Sequence, residues 1–182
     1  MRIISGSAKR RSIVAPKGST TRPTQDYIRE SLFNILQGEV SGSLCFDVFA
    51  GSGALGLEAL SRGAEYCLFC DKSFQAIQAI RENLVSLRFE PLSHIIKGDY
   101  QRAIDYAAAQ GLLFDLAFID PPYAFAAVED LLERLKPVLR SGALLIIERD
   151  KGTAIPNSDQ FQYVTMREYG ITAIHIYRYE VA

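Results

Sequence analysis

Cysteine and histidine are scarce in this sequence. Among 182 residues there are three of the first (Cys45, Cys67 and Cys70) and two of the second (His94 and His175). An odd cysteine count without a secretory leader argues against a disulfide framework. Cys67-Leu68-Phe69-Cys70 has C-x-x-C spacing. No second pair follows, and two histidines alone do not complete a ligand set, so no metal site is expected. The pair lies in an apolar stretch that reads as a strand, where cysteine packs as a small apolar residue. No apolar run is long enough to span a bilayer. Residues 1–5 lack the longer apolar stretch of a signal peptide, so a cytoplasmic protein is expected. Acid is missing from residues 1–22, which hold Arg2, Lys9, Arg10, Arg11, Lys17 and Arg22. Six of the 20 basic residues and none of the 21 acidic ones lie there, leaving 14 against 21 in the remainder. A net −1 thus conceals an arm of +6 on a body of −7. Such an arm suggests an anionic partner; the alternative is a solvated tail.

What is present is a globular sequence, 48% apolar, long enough for one domain with a full core. Residues 1–22 form the basic arm, with short strands at Arg2–Ser5 and Arg11–Ala15 joined as a small hairpin outside the main sheet. Residues 23–182 form the main domain. Thr24 is placed as the N-cap of a helix reaching Leu36, with Ile28, Leu32, Phe33, Ile35 and Leu36 on its apolar face. Strands are expected at 44–49, 66–70, 93–97, 114–119 and 142–148, alternating with helices at 56–62, 73–87, 100–110 and 126–139. This rhythm implies a mostly parallel sheet with helices on both faces. Two further strands, 161–167 and 171–180, meet at a tight turn at Gly170. The expectation is therefore a seven-stranded sheet ending in a β-hairpin.

Gly51-Ser52-Gly53-Ala54-Leu55-Gly56 is a literal G-x-G-x-x-G between the first strand and its helix, and Asp71 closes the next strand. Alone this fits any dinucleotide fold, including an oxidoreductase. Two acids point elsewhere. Asp47 sits inside the first strand, where a carboxylate is costly unless it meets a cation or donors. The sulfonium cofactor S-adenosylmethionine offers an α-ammonium group, whereas a pyrophosphate offers more negative charge. Asp99 follows the third strand, where it can accept from an adenine amino group or simply cap the next helix. Asp71 would then bind the ribose. These positions all fall at the carboxyl ends of strands, the ligand crevice of an open α/β sheet.

Asp120-Pro121-Pro122-Tyr123 follows the apolar run Leu116-Ala117-Phe118-Ile119. The prolines stop the strand and stiffen the corner. A carboxylate, a main-chain carbonyl and an aromatic ring together suit a flat, amino-bearing base: acceptors for its N–H groups and a face to stack on. If the strand order is doubly wound, Asp120 converges with Asp47, far away in sequence.

The glycine motif and the Asp-Pro-Pro-Tyr corner together resemble the Rossmann-like class I S-adenosylmethionine-dependent methyltransferases that modify exocyclic amino groups. Arg2-Ile3-Ile4-Ser5-Gly6, Arg22-Pro23-Thr24, Arg29-Glu30-Ser31-Leu32-Phe33-Asn34-Ile35-Leu36 and Phe49 through Ala64 narrow the resemblance to the RsmD family, which methylates N2 of a guanine in 16S ribosomal RNA. The resemblance implies that Asp47, Phe49, Gly51 and Gly53 contact the methionine part of the cofactor, Asp71 the ribose and Asp99 the adenine. It implies that Asp120, Pro121 and Tyr123 hold the guanine, and it puts Arg29 and Glu30 near the entrance. With the basic arm, this makes Lys9, Arg10, Arg11, Arg22 and Arg29 candidate contacts to substrate RNA, and the turn at Lys9, Arg10 and Arg11 is expected beside the catalytic edge. The expected partner is 16S ribosomal RNA or a small-subunit assembly particle, with no membrane, and the enzyme is expected to be a monomer. Two departures stand out: Ser5-Gly6 where the family commonly has Gly-Gly, and Lys9-Arg10-Arg11 where it has Arg-Gly-Arg. Rival readings are the same chemistry on adenine or cytosine in DNA or on a glutamine side chain, and a non-catalytic RNA-binding protein of the same fold.

Overall fold

The computed structural model describes residues 1–16, 23–122, 125, 127–153 and 159–181. Helices and strands alternate: α1 (Pro23–Ile35), β1 (Leu44–Asp47), α2 (Ala54–Ser61), β2 (Tyr66–Asp71), α3 (Phe74–Leu87), β3 (Ser93–Lys97), α4 (Tyr100–Ala109), β4 (Phe114–Ile119), α5 (Val128–Leu135), β5 (Leu139–Asp150), β6 (Phe161–Tyr169) and β7 (Thr172–Tyr179). The seven strands form one sheet in the order β3-β2-β1-β4-β5-β7-β6. β1 to β5 are parallel; β7 runs antiparallel between β5 and β6. This is the Rossmann-like architecture expected from the alternating pattern. The tight turn at Gly170, φ +61°, closes the terminal hairpin.

Both faces are covered, and the side chains divide with the two-residue period of a strand. Cys67 and Phe69 of β2 pack with Leu32, Leu57 and Ile80, under α1, α2 and α3. Leu68 and Cys70 of the same strand pack with Ile104 and Leu131, under α4 and α5. Cys45, Cys67 and Cys70 are buried free thiols. Burial first pushes the thiols of Cys45 and Cys70 up to about 12, as suits packing rather than reactive groups. No helix of the described residues is long and apolar enough to cross a membrane.

Several boundaries differ from the sequence expectation, three of them for a plain reason. Pro23 opens α1, so Thr24 lies within the first turn rather than at its cap; a missing N–H and fixed φ suit that position. The fifth helix stops at Leu135 because Pro137 tightens Lys136–Val138 into a 3-10 turn. β5 is longer than expected, 12 residues, because β4 and β7 flank it on both sides.

Residues 1–13 fold back as a narrow ribbon rather than two full strands: one bridge joins Arg2 to Ser12, supported by Ile3 N–H to the Arg11 carbonyl at 2.9 Å. Ile3, Ala8 and Ile13 are buried in the core. Its turn docks on the last residues of α2, where the Ser7 N–H reaches the Ser61 carbonyl at 2.7 Å. A Cβ at Gly6 would overlap that same carbonyl oxygen, so glycine is required there. Arg10 adopts φ +70°, a left-handed conformation that costs a non-glycine residue about 1 kcal/mol. It stands where the resembling family has glycine.

Candidate active site

The loop after β1 is pinned from both sides. The Val48 N–H donates to the Phe118 carbonyl at 3.0 Å and the Ala50 N–H to the Cys70 carbonyl at 2.9 Å. Between these anchors the chain turns through Gly51 at φ +56° and Gly53 at φ +78°. A Cβ on Gly51 would enter open space, whereas one on Gly56 would lie 2.6 Å from Cys67 Sγ. The first glycine thus keeps a cradle clear and the last lets α2 lie close on β2.

The carboxylates gather at this edge. Asp47 is only 2% exposed, and its Oδ2 accepts from the Gly56 N–H at 3.1 Å, satisfying one of the free donors in the first turn of α2. Burial pushes its carboxyl up to about 7; the Gly56 hydrogen bond opposes this, and the neighbouring Asp71 charge adds to it. Asp71 accepts from the N–H groups of Gly51 and Ser73, each at 2.8 Å, so it braces the glycine loop. Asp99 caps α4, its Oδ1 accepting from the Arg102 N–H at 3.0 Å. The capping alternative is therefore real, and the same residue also faces a cavity.

Two cavities share the walls Phe49, Gly51, Asp120 and Glu148. One, of about 540 Å³, is bordered by Asp71, Asp99, Tyr100, Pro121 and Phe125. The other, of about 270 Å³, is bordered by Asp47, Ala50, Arg29 and Leu32. Phe49, Tyr100 and Phe125 form an aromatic corner, with Phe49–Phe125 centroids 5.2 Å apart. The larger cavity carries five carboxylates, Asp71, Asp99, Asp120, Glu148 and Asp150, against Lys72 and Arg149. An edge with this balance suits a cationic or donor-rich ligand and repels a pyrophosphate.

The doubly wound order sets β1 beside β4, with Asp47 level with Phe118, and Asp47 and Asp120 border the same cavity. Asp120 opens onto this space. Its carboxyl is raised, by burial first and then by Glu148 and Asp47; solvent in the open cavity moderates that shift. The stiff corner continues through Pro122, whose carbonyl accepts from the Phe125 N–H at 2.8 Å. Tyr123 and Arg22 lie outside the described residues.

The basic turn sits elsewhere than expected. Ser61 and Ser86 lie at the carboxyl ends of α2 and α3, which run back from the cavity edge. The turn touches both ends, and Arg11 Nη2 donates to the Ser86 carbonyl at 2.6 Å. Lys9, Arg10 and Arg11 are exposed at the opposite edge of the sheet, about a helix length from the carboxylates. The correction follows from the docking of Gly6 and Ser7 on α2, which sequence spacing does not reveal. Met1, at the start of the ribbon, and Pro16, just beyond it, are what reach the smaller cavity from this arm.

Arg29 is 4% exposed. Its guanidinium bonds the Arg2 carbonyl and Asp26, and its Nε lies 3.6 Å from Glu58. It ties α1 to the ribbon and borders the smaller cavity, whereas Glu30 is exposed. Glu58, fully buried, accepts from the N–H groups of Ile4 at 2.8 Å and Ser5 at 3.0 Å and pairs with Arg62 at 2.7 Å. Sequence reasoning missed this hub, and it missed Glu148, Tyr100 and Phe125. An available signal for Glu148 was its position one residue past the apolar end of β5, matching that of Asp120 after β4.

Residues 1–178 match the model of a family described as conserved hypothetical protein 95. The Bacillus subtilis protein YlbH, named as a candidate rRNA methyltransferase, is 39% identical over 181 residues, covering 98% of each chain. Ribosomal RNA small subunit methyltransferase D of Escherichia coli K12 is 32% identical over 158 residues, 86% of this chain and 78% of that one. The solved structure of Escherichia coli yhhF, a methyltransferase by proposal, superimposes with a TM-score of 0.85 at 30% identity, covering 100% of this chain and 99% of that chain.

Proposed function

This chain belongs to the RsmD family, described as conserved hypothetical protein 95, and from that membership we propose that it transfers a methyl group from S-adenosylmethionine to the exocyclic N2 amino group of a guanine in 16S ribosomal RNA. The observation that carries the reading is the row of carboxylates at the ends of consecutive strands, Asp47, Asp71, Asp99 and Asp120, around a glycine cradle with open space beside it. The residues fit the cofactor. Asp47 is a buried carboxylate with a single N–H donor among the described residues, suited to an ammonium group. Phe49 and the Gly51 and Gly53 backbone would border the methionine part, Asp71 would hold the ribose and Asp99 the adenine. When bound, the cofactor supplies a methyl group already activated by its sulfonium.

What remains for the protein is positioning and proton handling. A guanine amino lone pair is delocalised into its ring. Asp120 and the Pro121 carbonyl, accepting its N–H groups, would favour a more tetrahedral nitrogen with its lone pair aimed at the cofactor. Tyr123 would stack on the base. Asp120, with its raised carboxyl, or water would take the proton released on transfer. Lys9, Arg10 and Arg11, at a distance from the transfer site, are assigned to RNA phosphates together with Arg22, with Arg29 positioning the entrance. The reading is of a cytoplasmic monomer acting on free rRNA or on the assembling subunit.

The test is transfer of labelled methyl from S-adenosylmethionine to small-subunit RNA, followed by mapping of the modified nucleotide. Label in N2-methylguanine is expected, and Asp120→Ala should lose at least about a hundredfold in turnover, as for loss of a catalytic acid–base group, with cofactor affinity nearly unchanged. Label in an adenine or cytosine, or transfer only to DNA or protein, would overturn the reading.

A further inference from the structure

Glu148 is a second carboxylate at the cavity edge beside Asp120. It stands two residues before the end of β5, and Ile147 before it is level with Ile119, the residue before Asp120. The two carboxylates therefore leave neighbouring strands in step, about 5 Å apart in strand spacing, and both border both cavities. Asp47 and Asp71 each accept a main-chain N–H. Among the described residues no donor or cation reaches Asp120 or Glu148. Glu148 is half-buried and Asp120 is exposed to the cavities; two carboxylates side by side without donors repel one another, and a ligand that supplies donors relieves that repulsion. Arg149, next in sequence, borders the larger cavity too, but among the described residues no ion pair joins it to either carboxylate.

A pair of acceptors side by side matches a pair of donors side by side. Guanine has that edge, N1–H next to the N2 amino group. Adenine and cytosine set their amino group beside a ring-nitrogen acceptor, which would face a carboxylate lone pair. We propose that Glu148 is the specificity-determining residue of this site: it accepts the N1–H of the target guanine while Asp120 accepts from the N2 amino group, so that the pair selects guanine over other amino-bearing bases. Asp120 serves the transfer itself; Glu148 reads the ring. Burial raises the carboxyls of both groups, and the Glu148 charge adds to the rise at Asp120; N–H donors from a base would favour their charged, accepting forms. The proposal rests on the guanine-N2 reading above and sharpens it.

The experiment uses RNA ligated with either guanine or 2-aminopurine at the position the wild-type protein methylates. 2-Aminopurine keeps the amino group but has an acceptor at N1. Wild type should favour guanine by roughly tenfold to a hundredfold in kcat/KM, the range of one base-edge contact. In Glu148→Gln the amide can donate to N1, so guanine turnover should fall, 2-aminopurine turnover should hold or rise, and the ratio should collapse toward one. Glu148→Ala should lose the preference without the gain on 2-aminopurine. Cofactor affinity, measured by calorimetry, should be unchanged in both, which separates reading from folding. If wild type methylates the guanine and the ratio is the same in the variants, the role of Glu148 is overturned while the guanine reading stands. If wild type places no methyl on a guanine N2, both fall together.

Discussion

Replacing Asp47 by Asn separates the cost of a buried charge from its use. In the ligand-free protein, burial lifts this carboxyl from 3.8 to about 7. A folded-state value raised above the unfolded one contributes stability that is fully present below the unfolded value. That stability is lost as pH rises through the folded value. The window is therefore pH 4 to 7, with the full penalty standing near pH 8. A difference of about three pH units, at about 1.4 kcal/mol each, sets an upper bound of roughly 4 kcal/mol; water in the adjoining cavity reduces it to about 2–4 kcal/mol. Asn keeps an oxygen for the Gly56 N–H but carries no charge. Asp47→Asn should thus be no more stable than wild type near pH 4 and about 2–4 kcal/mol more stable near pH 8. With S-adenosylmethionine present the order should narrow or reverse, because the ammonium group would pair with Asp47 and not with Asn. The assay is urea unfolding at a series of pH values, with and without cofactor. A stability difference that stays constant from pH 4 to 8 would refute the assignment of a destabilising buried charge. A gap untouched by cofactor would refute its use in binding.

Glu58→Gln removes the charge that holds the ribbon, Arg62 and Arg29 together. Stability should fall by about 3 kcal/mol, since breaking a buried pair leaves the cations uncompensated, and trypsin should cleave faster after Lys9, Arg10 or Arg11. A loss below about 1 kcal/mol with unchanged cleavage would mean that the hydrogen bonds alone hold the ribbon. Replacing Lys9, Arg10 and Arg11 together by Ala should flatten the salt dependence of RNA affinity by up to about three units of slope, at roughly 0.7–0.9 per phosphate contact. The turn lies away from the carboxylate edge, so cofactor affinity should not change. Superimposable salt curves would leave these charges merely solvated.

The strands and helices were legible because each buries one face or two, and burial writes a period of two or 3.6 into the apolar residues. β3 and β4 match the expected bounds, Ser93–Lys97 and Phe114–Ile119, since Pro91 and Gly111 lie just upstream and Gly98 and Asp120-Pro121 end them. Asp47, Asp71, Asp99 and Asp120 were legible as candidates for a related reason: an acid at the end of an apolar strand is anomalous, and the carboxyl ends of parallel strands share one edge. Both the strand pattern and the acids that break it are local properties of the chain.

Contacts between distant segments were not legible. Nothing in the spacing of Ser5 to Arg11 says that the turn docks on Ser61 and Ser86, because a main-chain carbonyl at a helix end carries no residue signature. Nothing in the sequence around Glu58 marks its burial, yet it is buried by a ribbon more than 50 residues earlier. Asp120 was recognised by its prolines, whereas its neighbour Glu148 became visible only when parallel pairing set Ile119 level with Ile147. The sequence alone therefore determined the fold class and the row of acids along one edge. The tertiary structure decided which acids are held by the protein's own N–H groups and which are left for a ligand. That division depends on the register of strands distant in sequence, and register is fixed by packing of the whole sheet rather than by any one segment.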